Sequence, residues 1–207
     1  MSPPPGIRLS VRDLEISHGD RTLFSGLTFE LGTGELATVT GPNGSGKTTL
    51  LRTLAGLRLP AAGEAMLDGT PVDVVAHGLT APMAYQGHSD ALKRDLTLAE
   101  NLRFCEALWG GSANIEALTA ELRLTPCLGQ RVRHLSAGQR RRAALACLRL
   151  KRAALWLLDE PLTNLDTLGA ELVNAWISSH LQTGGAAVVA THQPERFAAR
   201  ARLEIGL

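Results

Sequence analysis

The chain has 207 residues, enough to bury a full core as one domain or as one domain with a subdomain. Its 21 basic and 20 acidic residues leave a formal charge of +1, with no excess for holding nucleic acid or an acidic membrane surface. No apolar run approaches the roughly 18 to 20 residues that cross a bilayer, so work at a membrane requires another chain to provide the span.

The first ten residues, MSPPPGIRLS, lack an apolar core and read as a loose tail, not a signal peptide. Strand-like alternation follows in IRLSVRDLEIS (7–17) and LTFEL (27–31), with turn signals at 18–20 and 32–34. Another strand-like run, 35–40, leads into GPNGSGKTT (41–49), and a helix is expected from Thr48 to Leu57. From about residue 96 to 151 the pattern turns helical: LTLAENLRFCEALWG and SAGQRRRAALACLRLKRAAL carry leucine and alanine at three-to-four spacing. LWLLDE (155–160) and AAVVATH (186–192) are short apolar runs ending in polar residues, as buried parallel strands with functional C-terminal ends do. The sum is one α/β domain, its core over about 1–95 and 152–207 and a helical insert over about 96–151. Cys105, Cys127 and Cys147 are odd in number and roughly twenty residues apart, which suits neither a disulfide framework nor a close-spaced metal site. They read as small buried or semi-buried residues of a reducing cytosol.

Two stretches carry chemistry. Strand, Gly41-x-x-x-x-Gly46-Lys47-Thr48 and helix form the context of a P-loop. Glycines let the backbone curl so that successive N–H groups point inward, and the helix N-terminus adds partial positive charge. Lys47, one of only three lysines, is placed to reach the β- and γ-phosphates, and the Thr48 hydroxyl to complete a Mg²⁺ shell. Gly41, Pro42, Asn43, Gly44, Ser45, Gly46, Lys47, Thr48 and Thr49 are therefore candidate contacts for ATP. In LWLLDE an apolar strand delivers two carboxylates to its end. Asp159 fits a ligand of the Mg²⁺ that bridges phosphate oxygens, and Glu160, facing the other way on a strand of period two, fits a general base for an attacking water.

LSAGQ (135–139), about twenty residues before LWLLDEP, resembles the signature of ABC-type ATPases. Physically it is a capped helix start, where Ser136 and the Gly138 N–H can grip a phosphate. The resemblance implies a P-loop NTPase core of the ABC ATPase type, with an N-terminal antiparallel β-subdomain and a helical insert. It also implies a self-dimer in which Ser136, Gly138 and Gln139 contact nucleotide held by the opposite subunit. TNLD with Asp166 resembles the loop that crosses the dimer interface, and His192 after VVAT resembles the switch histidine that contacts the γ-phosphate. Where the family has an aromatic residue for stacking on adenine, this chain offers His18. Where the family has a glutamine that senses Mg²⁺ and water, spacing back from LTLAENL gives His88, with Gln86 two residues earlier, and the role stays open between them. Arg140, Arg141 and Arg142 read mainly as a solvated or interdomain helix face.

Among ABC ATPases the chain is most similar to the ATP-binding subunits of cytochrome c maturation haem exporters. RTLFSGLTFEL, GHSDALKRDLTLAENLRF, LSAGQRRRAALACL and THQP carry that likeness. It implies an integral membrane permease partner at the bacterial inner membrane and a part in supplying or releasing haem. No Cys-x-x-Cys-His motif is present, so the chain is not expected to carry haem itself. A subunit of an ABC transporter for another substrate would share the same ATPase core.

Overall fold

Two sheets divide the chain between them in the computed structural model, which describes residues 6–76, 82–109, 114–197 and 200–207. The first five residues of the expected tail lie outside the described residues. β1 (Arg8–His18) and β2 (Arg21–Gly32) form an antiparallel hairpin around Gly19 and Asp20. Strand β2 begins well before the alternating stretch at 27–31. Leu9, Val11, Leu14 and Ile16 of β1 are all buried although their spacing slips from two to three. A bulge at Asp13, whose φ is 46°, absorbs the extra residue and keeps all four on the core face.

β3 (Leu36–Thr40) enters the P-loop and α1 (Lys47–Leu54) leaves it. β4 (Ala62–Leu67) and the two-residue β5 (Thr70–Pro71) complete an antiparallel sheet in the order β2-β1-β4-β5, followed by the short α2 (Val72–Val75). After β6 (Met83–Gln86) come the helices α3 (Leu98–Leu108), α4 (Ile115–Glu121) and α5 (Ala137–Leu150). Capping boxes start two of them: Thr97 with Glu100 on α3, and Ser136 with Gln139 on α5. The remaining elements are β7 (Leu155–Asp159), α6 (Thr167–Gln182), β8 (Ala186–Ala190) and β9 (Ala201–Gly206).

The second sheet is parallel, in the order β6-β7-β8-β3-β9. Alternate residues of β7 serve different cores. Leu155 and Leu157 pack with the antiparallel sheet and α1, whereas Trp156 and Leu158 pack with α5, α6 and the helical segment. Burial on both faces is why β7 and β8 read as continuous apolar runs. The pairing also aligns strand ends: Asp159 lies opposite Ala190, and Ala190 opposite Val39. Whatever follows β3, β7 and β8 is thereby gathered at one edge.

The opposite edge is held by His180 of α6. Its ring stacks on Trp156 at 4.0 Å between centroids, and a Cβ on Gly185 would lie 2.2 Å from it. Nε2 faces the carbonyls of Ala154 and Ala186 at 3.1 and 3.2 Å, so it must carry the proton. Burial lowers the His180 pKa from the ordinary 6.5, against the two carbonyls that raise it. The neutral ring is therefore favoured on folding, and its stability contribution is full above about pH 6.5 and lost as pH falls through the lower folded value. Urea denaturation between about pH 7 and 5 should show a shallower loss of stability in His180→Phe than in the native chain, because phenylalanine keeps the stack and cannot titrate.

Candidate active site

The P-loop backbone is left-handed at three glycines, and at Gly41 a side chain is excluded outright. Its φ is 146°, and an added Cβ would come within 2.7 Å of both the Leu207 carbonyl and Ser45 Oγ. Gly46 occupies the N-cap of α1 with φ 111° and offers no side-chain cap. The first N–H groups of α1 are left for an anion. Lys47 is buried, and its Nζ donates to the Gly41 carbonyl at 2.7 Å and the Pro42 carbonyl at 3.1 Å. The ammonium is thus folded back along the loop.

Thr48 Oγ1 donates to Asp159 Oδ2 at 2.7 Å, joining the start of α1 to the end of β7. A hydroxyl and a carboxylate in contact are the hard oxygen donors that Mg²⁺ takes from protein while phosphate and water complete its shell. Among the described residues no cluster of three or more His, Cys, Asp or Glu is arranged for a metal.

Glu160 lies just beyond the last residue of β7, with φ 49°. Its direction is set by this left-handed turn, not by strand alternation as the sequence suggests. His192 Nε2 approaches Glu160 Oε1 to 3.4 Å but outside hydrogen-bond direction, leaving that buried oxygen without a hydrogen-bond partner. Glu160 and His192 thus lie side by side, a carboxylate and an imidazole within reach of one another.

These groups line a cavity of about 720 Å³. Asn43, Gly44, Gly46, Lys47, Thr48 and Thr49 form one wall; Asp159, Glu160 and His192 form another. His18 and His88 also reach it, and Gln86 does not. Gln86 is buried, and its amide donates to the Gly87 and Ser89 carbonyls at 3.2 Å each. Gly41, Pro42 and Ser45 lie behind the lining.

Ser136, Gly138 and Gln139 do not line the cavity of their own chain. Ser136 is exposed at the start of α5, and the Gln139 side chain is engaged by the Ser136 N–H at 2.7 Å and by Cys127 Sγ at 3.3 Å. Asp166 caps α6 by accepting from the Gly169 N–H at 2.8 Å. Sequence reasoning missed Arg21, Thr163 and Gln193 on the cavity wall. Arg21 and Gln193 follow His18 and His192 closely, and that proximity was the available signal.

Arg141 departs from the solvated half of the expectation of a solvated or interdomain helix face: it is 4% exposed and donates from α5 to four backbone carbonyls of the core, Gly87 at 2.9 Å, Asp159, Glu160 at 2.8 Å and Pro161 at 3.4 Å. Burial lowers its pKa, opposed by the charges of Asp90, Asp159 and Glu160 and by Tyr85. Arg140 pairs with Asp90 at 3.4 Å, and Arg142 donates to the Leu122 carbonyl at 2.7 Å. All three arginines are engaged inside the fold.

A second cavity of about 570 Å³ lies around Trp176, Trp156 and His180, away from these groups. The Glu121 carboxylate in its wall is taken up by Arg149 and by Trp176 Nε1. The candidate catalytic residues Glu160 and His192 are in the first cavity.

Residues 24–163 match the family described as ABC transporter. A solved structure titled "Structure of ATP binding subunit of ABC transporter" superposes with a TM-score of 0.85 at 25% identity, over 96% of this chain and 85% of that one. A putative ABC transporter ATP-binding protein from Pyrococcus furiosus shares the fold, with a TM-score of 0.83 at 24% identity over 97% of each chain. With the phosphate loop after β3 and the carboxylates after β7, one strand apart in the parallel sheet, the chain is an ABC ATPase, which binds ATP with Mg²⁺ and hydrolyses it. This class works as a dimeric ATPase in a membrane-associated transporter, and no helix among the described residues is long and apolar enough to cross a membrane.

Curated relatives narrow the class. The Cytochrome c biogenesis ATP-binding export protein CcmA of Escherichia coli O157:H7 is 44% identical over 90% of this chain and 89% of its own length. The proteins of that name from Cupriavidus necator and Nitrosococcus oceani are 45% and 42% identical, over 89% and 96% of this chain and 82% and 92% of theirs. The chain belongs to the CcmA family.

Replacing Lys47 with alanine removes the one buried ammonium in the loop. Equilibrium binding of a fluorescent ATP analogue should weaken at least about tenfold, as expected for loss of a charge-assisted phosphate contact worth about 1.5–3 kcal/mol.

Proposed function

We propose that the chain is the ATP-hydrolysing subunit of a c-type cytochrome biogenesis complex, coupling hydrolysis to haem export or to release of haem from its chaperone. The observation that carries this reading is the 42–45% identity to CcmA proteins across roughly nine-tenths of the chain. Its place is the cytoplasmic face of the bacterial inner membrane, bound to a CcmB-like integral permease and associated haem-handling membrane proteins. The chain is one ATPase domain with a helical subdomain over about 96–151, and nucleic acid is not among its partners.

In this reading the P-loop amides from Gly41 to Thr49 and the Lys47 ammonium bind the β- and γ-phosphates. The ammonium exchanges the Gly41 and Pro42 carbonyls for phosphate oxygens. Thr48 and Asp159 hold Mg²⁺, with His88 beside it where relatives of other families place glutamine. Bound there, the ion neutralises charge on the phosphate oxygens. Glu160 orients and deprotonates the attacking water, and His192 contacts the γ-phosphate. His18 stacks on the adenine. Ser136, Gly138 and Gln139 complete the site of a second copy, so ATP draws two chains together. The segment from Tyr85 to Phe104 joins the cavity to the helices, and it carries that motion to the permease.

Glu160→Gln should bind ATP normally, hydrolyse it roughly 10²–10⁴-fold more slowly and accumulate as an ATP-bound dimer in size-exclusion chromatography. In the native host, a strain carrying only Glu160→Gln should lose covalent haem from its membrane c-type cytochromes at unchanged apoprotein levels. Normal holocytochrome in a strain whose variant is shown to be ATPase-dead would overturn the cytochrome role and leave the ATPase standing.

A further inference from the structure

The residues assigned to chemistry do not explain how Glu160 is held. A non-glycine residue at φ 49° sits in a sparsely populated backbone region and persists there only where neighbours over-determine it. Two backbone bonds contribute: the Glu160 N–H donates to the Ala190 carbonyl at 2.9 Å, and the Thr163 N–H to the Glu160 carbonyl at 3.1 Å. Each ties one of the two peptide planes that flank the Glu160 Cα, and each is a single bond to a plane. Arg141 adds the second: its Nη2 donates to the carbonyls of both Asp159 and Glu160, so one guanidinium braces both planes whose rotation is φ and ψ of that residue.

The other arm of the same fork reaches a different loop. Nη1 donates to the Gly87 carbonyl at 2.9 Å, adjacent to His88 on the cavity wall. Arg141 stands five residues beyond Ser136 on α5, whose first turns are also tied to this loop by the Arg140–Asp90 pair. A planar, rigid donor set therefore connects three parts: the helix that starts at Ser136, the loop carrying His88, and the turn carrying Glu160. A flexible ammonium cannot span the same set.

We infer that Arg141 is a positioning residue for ATP hydrolysis: it holds the Glu160 turn and the His88 loop in one geometry and makes that geometry depend on the placement of α5. Arg141 touches neither nucleotide nor water in this scheme and acts through Glu160. Its removal lowers turnover while leaving the phosphate-binding wall, which it does not contact, in place. A misplacement of about 1 Å at a reacting group is enough for a loss of about 10²-fold.

The test is single-turnover ATP hydrolysis and nucleotide affinity on the full chain, comparing native, Arg141→Gln, Glu160→Gln and the double variant. Arg141→Gln should lose about 10- to 100-fold in the hydrolysis rate with ATP affinity within about threefold of native. In the Glu160→Gln background the same change should cost less than about threefold further, because the group it positions is already disabled. Should Arg141→Gln fail to fold, as judged by circular dichroism and thermal melting, Arg141→Lys takes its place in the cycle. It keeps the buried charge and loses the fork. A native hydrolysis rate in the folded variant, a parallel loss of ATP affinity, or a full multiplicative loss in the double variant would each overturn the inference.

Discussion

Parallel pairing of β3, β7 and β8, buried on both faces, is the constraint on which the site depends. Each strand ends where its apolar run ends, and register places the three ends together. The hydrogen bond from Thr48 to Asp159 crosses 111 residues of sequence and exists because two neighbouring layers, α1 and β7, are fixed by packing before any ligand binds. A short carboxylate bond at a partly buried position gains from reduced solvent screening, so the same burial that aligns the strands also strengthens the contact.

Charge is arranged so that the interior contains more donors than ligand-free chemistry requires. Lys47 and Arg141 are both buried cations without a carboxylate hydrogen-bonded to them, and both are satisfied by backbone carbonyls. Their circumstances differ. Lys47 is a single point charge on a flexible stem at the cavity wall, free to leave its carbonyls for phosphate. Arg141 divides its donors over four carbonyls and cannot leave one without disturbing the others. One cation is suited to ligand exchange and the other to holding a shape. On the opposing wall, Glu160 brings a carboxylate beside His192.

How much of this was legible in the sequence depended on whether local pattern or distant contact determined the outcome. The P-loop, the carboxylate strand and the capped start of α5 each combine a short-range rule with a distinctive residue, and each lies where the pattern puts it. The early part of β2 was not legible, because its first residues are largely exposed or half-buried and show no clean alternation. The helix expected from Thr48 to Leu57 stops at Leu54, and Gly56 follows at φ 68° against α2. Arg141 was hidden for a different reason. Three consecutive arginines on a helix suggest a charged face, and nothing nearby reveals that the middle one meets a turn about twenty residues later in the chain. Nor does spacing distinguish Gln86 from His88. Their different surroundings follow from β6, which buries Gln86 at its end and leaves His88 beyond it on the cavity wall.

In the proposed function one copy of this chain is chemically incomplete, and the signature segment is what a second copy supplies. Within a single chain, the phosphate-binding wall and the carboxylate wall enclose the cavity on two sides, but the N-terminus of α5 points elsewhere. Ser136 is exposed and its side chain accepts only from the Gln139 N–H at 3.1 Å, so the first turn of a fourteen-residue helix keeps free N–H groups in solvent. Helix ends of this kind attract anions, and in the function proposed above that anion is the terminal phosphate held by the other copy. Closure then joins a positive helix end to a charge bound mainly elsewhere, and hydrolysis removes the group that both sides share. The interface is thus stabilised by the substrate and weakened by its cleavage, the asymmetry needed to turn ATP hydrolysis into a cycle of closing and opening.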